Sequence, residues 1–307
     1  KEKDIGIIYI SHRLDEIDTI CDRATVLRDG EYIGTSKVGE LSREELIQQM
    51  VGRSIEQEFP KERAEIGSTL LLAKNLYRGK KVRDVSIEIK SGEILGLTGL
   101  VGSGRTETAR ILFGADMAES GSVYLDGQPI DLHTPRDAIS AGICLLTEDR
   151  KSQGLILPQS IRENFGLPNL ARYSSRGWIN QETERNAFNR HAEKLLIKMT
   201  GPEQPASNLS GGNQQKVVLA KWLERDARVL LFDEPTRGID VGAKYEIYQL
   251  LNRLAAQGKG ILMISSELPE VLGMSDRVIV MHEGRIKGEI TDVGNATQED
   301  ILRLAVA

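Results

Sequence analysis

The stretch from Ile94 to Thr106 reads Ile-Leu-Gly-Leu-Thr-Gly-Leu-Val-Gly-Ser-Gly-Arg-Thr, and it decides the fold. Its first five residues form a short apolar run, which predicts a strand buried on both faces. A glycine-rich loop follows, and a helix is predicted from Thr106 to about Phe113. This order is typical of a phosphate-binding loop, because glycines let backbone N–H groups point into one concavity and the helix start adds positive partial charge. The stretch therefore predicts an α/β fold with an anion site.

The loop and the residue after it supply the candidate ATP-binding residues, which are Gly99, Leu100, Val101, Gly102, Ser103, Gly104, Arg105, Thr106 and Glu107. The hydroxyl of Thr106 is a candidate ligand of Mg²⁺, as the Ser or Thr of this motif is. Arg105 stands where the motif has lysine, and its guanidinium is a planar fork rather than a compact point charge. We therefore expect looser positioning of phosphates. Taken alone, the loop is equally compatible with an ordinary glycine-rich turn.

Two carboxylates follow another buried-strand candidate in the stretch Val229–Pro235. A strand that ends in this pair delivers Asp233 toward Mg²⁺ and Glu234 toward a water that attacks the γ-phosphate. The alternative is an acidic turn at a strand end, which is common in proteins of many functions.

A third motif lies between these two and reads Leu-Ser-Gly-Gly-Asn-Gln-Gln-Lys from Leu209 to Lys216. A serine and two glycines before a helix make an anion site, but no turn chemistry requires this whole series. After the acidic pair come Gly238-Ile239-Asp240 and a strand that ends at Ser265-Ser266. This is the order of motifs in an ABC-type ATPase domain.

The chain resembles the tandem ATPase subunits that power carbohydrate import in bacteria, of the ribose, galactose and xylose type. The strings Thr147–Lys151, Asp233–Lys244 and Ile264–Val271 carry the resemblance together with the three motifs. It implies a P-loop NTPase of ABC type: a mixed core sheet with flanking helices, an antiparallel β subdomain, and a helical subdomain over about residues 150–215.

An internal repeat defines the expected domain organisation. Residues 8–17 align with residues 262–271, and the offset stays at 254 (12 + 254 = 266) through Arg23 and Arg277. Two copies of a domain ending thus bracket one domain beginning. We expect residues 1–57 to be the remnant of the end of a first ABC domain, residues 58–68 to be a linker, and residues 69–307 to form a complete second domain.

The resemblance also implies how the motifs are used with ATP and Mg²⁺. The phosphate loop contacts one nucleotide, while the signature residues Leu209, Ser210, Gly211, Gly212, Asn213, Gln214 and Gln215 close over a second nucleotide. That second nucleotide is held by the first domain or by another copy. Asp233 supports the metal and Glu234 is the general base. Tyr77 is a candidate for stacking on adenine, or equally an ordinary tyrosine at a strand edge.

Three positions depart from the family pattern, and all belong to the site that the second domain builds itself. Arg105 replaces lysine, Glu148 stands at the metal position where glutamine is usual, and Ser266 stands where the family has a switch histidine. The first copy of the repeat has His12 at that position. We expect an asymmetric pair of sites, with slow or absent hydrolysis at this one. We also expect weak nucleotide binding and very low activity for the fragment alone.

The composition of 307 residues is that of a soluble globular protein, with 40% apolar and 28% charged residues. No apolar run approaches the ~20 residues that span a bilayer. The net charge of −5 argues against nucleic acid as a partner. By resemblance, the partners are transmembrane permease subunits and, indirectly, a periplasmic or extracellular sugar-binding protein, at the cytoplasmic face of the membrane.

Permease docking is expected over residues 155–173, although a core-facing helix start explains that segment equally well. Two other functions stay open: a non-catalytic nucleotide-binding regulatory module, and an ABC ATPase without a transport role.

Overall fold

A computed structural model describes residues 5–11, 14–28, 30–51 and 58–306. The strands are β1 Arg23–Arg28, β2 Glu31–Lys37, β3 Thr69–Arg78, β4 Val82–Lys90, β5 Ile94–Gly99, β6 Ser120–Leu125, β7 Gln128–Ile130, β8 Ile143–Leu146, β9 Ser174–Ser175, β10 Trp178–Ile179, β11 Val229–Asp233, β12 Gly260–Ile264, β13 Arg277–His282 and β14 Arg285–Ile290. The helices are α1 Leu14–Ile20, α2 Arg43–Val51, α3 Arg105–Leu112, α4 Pro135–Ala141, α5 Ile161–Gly166, α6 Leu170–Tyr173, α7 Gln181–Lys194, α8 Gly211–Leu223, α9 Val241–Ala256, α10 Leu268–Met274 and α11 Gln298–Val306. A π-helical turn, Arg150–Gly154, precedes the helical region.

The central sheet has six strands in the order β14-β13-β5-β12-β11-β8. Strands β13, β5, β12, β11 and β8 are parallel, and β14 is antiparallel to β13. Every residue of β11 and β12 is buried, as expected for strands covered by helices on both faces. Because the strands run parallel, the loops that follow β5, β12, β11 and β8 meet at one edge. The predicted α/β class and mixed core sheet are confirmed.

The predicted antiparallel subdomain is a four-stranded sheet with the order β4-β3-β6-β7. It joins the core through β4, where the backbone N–H of Arg83 donates to the carbonyl of Gly284 at 2.6 Å. Gly284 occupies the turn of the hairpin formed by β13 and β14.

The helical region packs around Phe165, which is fully buried on α5. The ring of Phe165 lies 5.5 Å from that of Phe188 on α7 and 6.3 Å from that of Tyr173. Helix α7 begins at Gln181 and ends at Lys194. Leu196 adopts φ 52° there, a left-handed conformation that an α-helix does not allow.

The repeat is visible in three dimensions. Elements α1, β1 and β2 of the first copy correspond to α10, β13 and β14 of the second, and both hairpins carry a bulge at the same place. The bulge follows Val26 in one copy and Val280 in the other (26 + 254 = 280). Residues 6–10 correspond to β12 but form no strand. All five residues are exposed, and four of them, Ile7, Ile8, Tyr9 and Ile10, have large apolar side chains. The same unit has thus folded twice, while the division at residues 57 and 68 stays a prediction.

Residues 58–68, which are expected to be a linker, form no helix or strand and contact helix α9 and the turn before β13. The ring of Phe59 sits 5.6 Å from that of Tyr248, and Lys61 Nζ lies 2.8 Å from a carboxylate oxygen of Asp276. These contacts fix the start of the segment on helix α9 and on the turn before β13. Among the described residues, no helix combines the length and the apolar character needed to cross a membrane.

The packing around Phe165 predicts a large effect of one substitution. We expect Phe165→Ala to lower the free energy of unfolding by about 3–5 kcal/mol, since it leaves a cavity in the helical region. The matched control is Leu167→Ala, because Leu167 is 50% exposed and its loss should change stability by less than about 0.5 kcal/mol. Urea titration followed by circular dichroism measures both, and equal effects of the two variants would contradict this packing.

Candidate nucleotide-binding site

Four loops from distant parts of the sequence meet at the carboxyl edge of the core sheet. Strand register explains the meeting, since Phe232 pairs with both Leu146 and Met263 across neighbouring strands. The loops surround a cavity of about 1030 Å³. Its lining includes the predicted site residues Val101, Gly102, Arg105, Thr106, Glu107, Glu148, Glu234 and Ser266. The structure therefore brings the phosphate loop, the acidic strand end and the switch position together.

Glycine is required in the phosphate loop for close backbone approach. Gly99 and Gly104 have φ of 150° and 102°, where other residues are strained. A Cβ atom on Gly104 would lie 2.1 Å from the carbonyl oxygen of Lys81, and one on Gly99 would lie 2.1 Å from that of Met281. The loop is thereby held between β5 and neighbouring turns. Ser103 is buried and its Oγ has no hydrogen-bond partner among the described residues.

Arg105 does not extend into the loop concavity. Its Nη1 donates to the carbonyl of Ser265 at 3.0 Å and lies 3.7 Å from Oε1 of Glu234. The side chain is 10% exposed, so the guanidinium is anchored against the ends of β12 and β11. The sequence placed Arg105 at the phosphates, but the structure places its charge beside the predicted general base.

The buried carboxylate of Asp233 has the properties of a cation ligand. Asp233 is 3% exposed, and its Oδ1 has no hydrogen-bond partner among the described residues. Burial raises the pKa of Asp233 to about 6, although its hydrogen bond with Thr106 lowers it and nearby Glu234 raises it further. An unpaired carboxylate oxygen beside a hydroxyl is a donor set that Mg²⁺ accepts. The residues present therefore fit the metal that the fold family implies.

Glu234 and Ser266 line the cavity side by side. Glu234 adopts φ 52°, and its N–H donates to the carbonyl of Ile264 at 2.9 Å. The hydroxyl of Ser266 donates to Oε2 of Glu234 at 3.2 Å. Each carboxylate oxygen of Glu234 thus has a neighbour of its own, Ser266 at one and Arg105 at the other.

Two residues predicted to contact the nucleotide or its metal, Glu148 and Tyr77, have partners outside the phosphate loop. Glu148 lines the cavity, but its carboxylate forms an ion pair with Arg237. Tyr77 lies on β3, is 40% exposed and does not line the cavity. Stacking of Tyr77 on adenine therefore stays a prediction without geometric support from this cavity.

The signature motif lies apart from the cavity. Ser210 caps helix α8 by accepting from the N–H of Asn213 at 3.4 Å, and neither residue lines the cavity. Gln214 is 4% exposed and donates to the carbonyl of Ala206 at 3.1 Å. Gln215 is also buried. In this conformation Ser210 and Gly211 present the accessible part of the motif, while the glutamines pack inward.

Sequence reasoning did not single out Arg150 or the cavity lysines. Arg150 Nη1 donates to the carbonyl of Arg237 at 3.1 Å, and its Nη2 would lie 2.6 Å from a Cβ on Gly211. Arg150 thus links the signature to the loop after Glu234. Lys81 and Lys244 line the cavity from a strand turn and from α9. Lys81 lies outside the motifs, and Lys244 ends the string Asp233–Lys244 without an assigned role, so the fold was needed to place both at the cavity.

The profile of the ABC transporter family matches residues 82–237, half of the chain. The chain belongs to this family. The fold is similar to that of a nucleotide-free ATP-binding cassette from an ABC transporter, with a TM-score of 0.65 and 24% identity. The match covers 78% of this chain and 96% of that one. The cassette MJ1267 in its ADP conformation matches with the same TM-score and identity and is covered completely. The predicted P-loop NTPase of ABC type is confirmed.

Relatives with higher identity are named as import proteins. The ribose import ATP-binding protein RbsA of Geobacillus kaustophilus is 50% identical over 305 residues, which are 99% of this chain and 62% of that protein. A putative ribose/galactose/methyl galactoside import ATP-binding protein of Rhizobium etli is 50% identical, again over 99% of this chain and over 58% of its own length. The chain thus spans less than two thirds of these ABC relatives.

The unpaired Asp233 carboxylate predicts a stability cost that depends on pH. Because its folded pKa of about 6 lies above the ordinary value of 3.8, the folded state binds the proton more tightly, and stability falls as pH rises between these values. We expect Asp233→Asn to raise the free energy of unfolding without nucleotide by about 1–3 kcal/mol at pH 8, and by about 1 kcal/mol less at pH 5. Urea titration at both values measures this.

The control is Asp226→Asn, since Asp226 is exposed and the pKa of its carboxyl is lowered by Lys259. A gain for Asp233→Asn that is equal at the two pH values would contradict the assigned cause.

Proposed function

We propose that this chain belongs to the ATP-binding subunit of an importer for ribose or a related monosaccharide or small polyol. Two observations support the proposal. The first is the site itself, in which the phosphate loop and Glu234 line one cavity and Asp233 lies buried beside Thr106. The second is the 50% identity to proteins named for ribose and for ribose/galactose/methyl galactoside import. The first observation supports a role in ATP binding, and the second supports ribose or a related sugar as the transported substrate.

The position of each residue in the site indicates its proposed role in binding or hydrolysing ATP. Backbone N–H groups from Gly102 to Thr106 are the donors for the phosphates, at the start of helix α3. Thr106 and Asp233 would hold Mg²⁺, which neutralises phosphate charge when bound. Glu234 would accept a proton from the attacking water, because its carboxylate stands at the strand end beyond the metal position.

The site on this domain is proposed to hydrolyse ATP slowly or not at all. Glu234 has a hydroxyl hydrogen-bonded to one carboxylate oxygen and a guanidinium 3.7 Å from the other, so both restrict the directions from which a catalytic water can approach. Ser266 is shorter than histidine and never cationic. Glu148 adds negative charge at the same edge, although Arg237 offsets it. These contacts agree with a degenerate site in which Arg105 serves as a counter-ion of Glu234 rather than as a phosphate ligand.

The signature is proposed to complete a different site. Ser210 and Gly211 lie at the start of the 13-residue helix α8, where backbone donors face outward, but they do not line this chain's cavity. A nucleotide closed by this motif must therefore sit on the phosphate loop of a first domain or of a second copy. Transmembrane permease subunits, and a sugar-binding protein indirectly, would be the remaining partners at the cytoplasmic face of the membrane.

The exposed apolar side chains Ile156, Leu167 and Leu170 lie within the segment expected to dock the permease. Much of α5 faces the core instead, so the docking surface would be the flanking residues and not the helix itself. A regulatory nucleotide-binding module remains the second candidate, and the contact between Arg105 and Glu234 favours it for this chain in isolation.

ATP turnover tests the proposal. We expect very low turnover by the chain alone and clear turnover when a separately produced first domain is added, unchanged by Glu234→Gln in this chain. Ser210→Arg should abolish the turnover of the mixture, because it blocks the start of α8. Ser207→Arg is the control, since Ser207 is exposed one turn earlier. Robust turnover by the chain alone, lost on Glu234→Gln, would show that the site is competent and the asymmetric account wrong.

The role of Arg105 has its own test. We expect Arg105→Lys to tighten ATP binding by about tenfold, because a lysine can reach the phosphates as a charged donor. Arg110→Lys is the matched control on the same helix, where Arg110 pairs with Asp116 at 2.7 Å. Titration with a fluorescent ATP analogue measures the affinities. Weaker binding by Arg105→Lys would mean that Arg105 itself holds phosphate.

A further inference from the structure

A second carboxylate lies buried behind the site, and the mechanism above does not use it. Glu270 on helix α10 is 1% exposed. Its Oε1 accepts from the hydroxyl of Thr236 at 2.7 Å, and its Oε2 accepts from the hydroxyl of Ser265. Thr236 follows Glu234 by two residues, and Ser265 immediately precedes Ser266. One carboxylate therefore joins the loop after β11 to the loop after β12.

Burial of this group is costly, so its presence calls for a reason. A carboxyl removed from water is destabilising unless it is fully hydrogen-bonded, and an apolar residue of similar size would often be more stable. Burial raises the pKa of Glu270, while the bonds from Ser265 and Thr236 lower it. Tyr248 on α9 is buried beside it, and its own pKa is raised well above the usual value by burial and by Glu270.

The internal repeat supplies an independent second example. Glu16 and Ser11 stand 254 positions before Glu270 and Ser265. The hydroxyl of Ser11 donates to Oε2 of Glu16 at 2.7 Å, so both copies contain the same bond from serine to glutamate. The residue between them is not kept, since position 12 is histidine and position 266 is serine. The bond is thus tied to the path of the loop and not to the identity of the switch side chain.

Helix capping alone does not explain the arrangement. The hydroxyl of Ser265 also accepts from the N–H of Glu267, the N-cap residue of α10, at 3.0 Å, while α10 has no side-chain cap of its own. A capping pair works at the surface and within one helix. Here Glu270 is buried and reaches out of its helix to Thr236, 34 residues earlier.

We propose that Glu270 is a positioning residue that couples the loop carrying Glu234 to the loop carrying Ser266, through Thr236 and Ser265. By holding both hydroxyls on one carboxylate, it fixes the separation at which Ser266 Oγ meets Glu234 at 3.2 Å. The shape of the site around the terminal phosphate is thereby set from behind, independently of the residue at the switch position.

Hydrogen exchange of the nucleotide-free chain tests the coupling. We expect Thr236→Val to speed exchange of the Glu267 amide about fivefold, because the loss of one donor loosens the shared carboxylate and with it Ser265. Thr236→Ser keeps the hydroxyl and should exchange like the unmodified chain. Amides of α7 serve as the reference for global stability. A change confined to the neighbours of Thr236, or an equal change in α7, overturns the proposal.

Nucleotide affinity is the functional arm, and it rests on the proposed function. Glu234 and Ser266 face the terminal phosphate, whereas the phosphate loop also serves ADP. We expect Thr236→Val and Glu270→Gln to weaken binding of a non-hydrolysable ATP analogue with Mg²⁺ about fivefold or more, with ADP affinity unchanged. Equal losses for both nucleotides would mean a merely structural role and overturn the proposal. Absence of nucleotide binding by the unmodified chain would overturn the proposed function alone, since the exchange arm does not depend on it.

Discussion

Parallel pairing of β5, β12 and β11 is the constraint on which the rest of the structure depends. Three segments far apart in sequence enter the sheet side by side and in the same direction, so their carboxyl ends share one edge. Parallel neighbours need crossovers that cover both faces, which explains why these strands are entirely buried. The geometry of the candidate site follows from the sheet, since the hydroxyl of Thr98 donates to the carbonyl of Ser265 at 3.1 Å across adjacent strand ends.

The same edge concentrates groups that a stable protein would avoid. Asp233 Oδ1 and Ser103 Oγ are buried without partners among the described residues, and Glu234 holds a left-handed backbone. Each feature costs stability, and phosphates and a cation bound at this edge would supply partners for the two unpaired oxygens. Rigid, fully satisfied strands next to an unsatisfied edge are what a binding site requires, because the strands keep the edge from collapsing.

Local sequence was sufficient for the strands and for the glycine loop. The run from Ile94 to Thr98 is too apolar for a surface, and the spacing of Gly99, Gly102 and Gly104 leaves few other turns. Sequence was insufficient wherever a side chain chooses between distant partners. Arg105 turns to Ser265 and Glu234, which lie 160 and 129 residues later (265 − 105 and 234 − 105). The end of α7 depends likewise on one backbone conformation, at Leu196, that helical spacing does not encode.

Because the chain contains two copies of the unit, the residues that shape the loop can be distinguished from the residue at the switch position. Both copies keep the serine and the glutamate that shape the loop, and both hairpins keep their bulge, while the switch residue differs. The predicted departures from the family pattern are at positions 105, 148 and 266, and of these only 266 has a counterpart in the first copy, where His12 stands. The serine and the glutamate beside that position are the same in both copies. A site that had lost all use would be free to lose its buried carboxylates first, since these destabilise the fold most. The serine–glutamate bond in both copies, and the burial of Glu270 in the second, therefore agree with the proposed site, whose loops are held in place for binding.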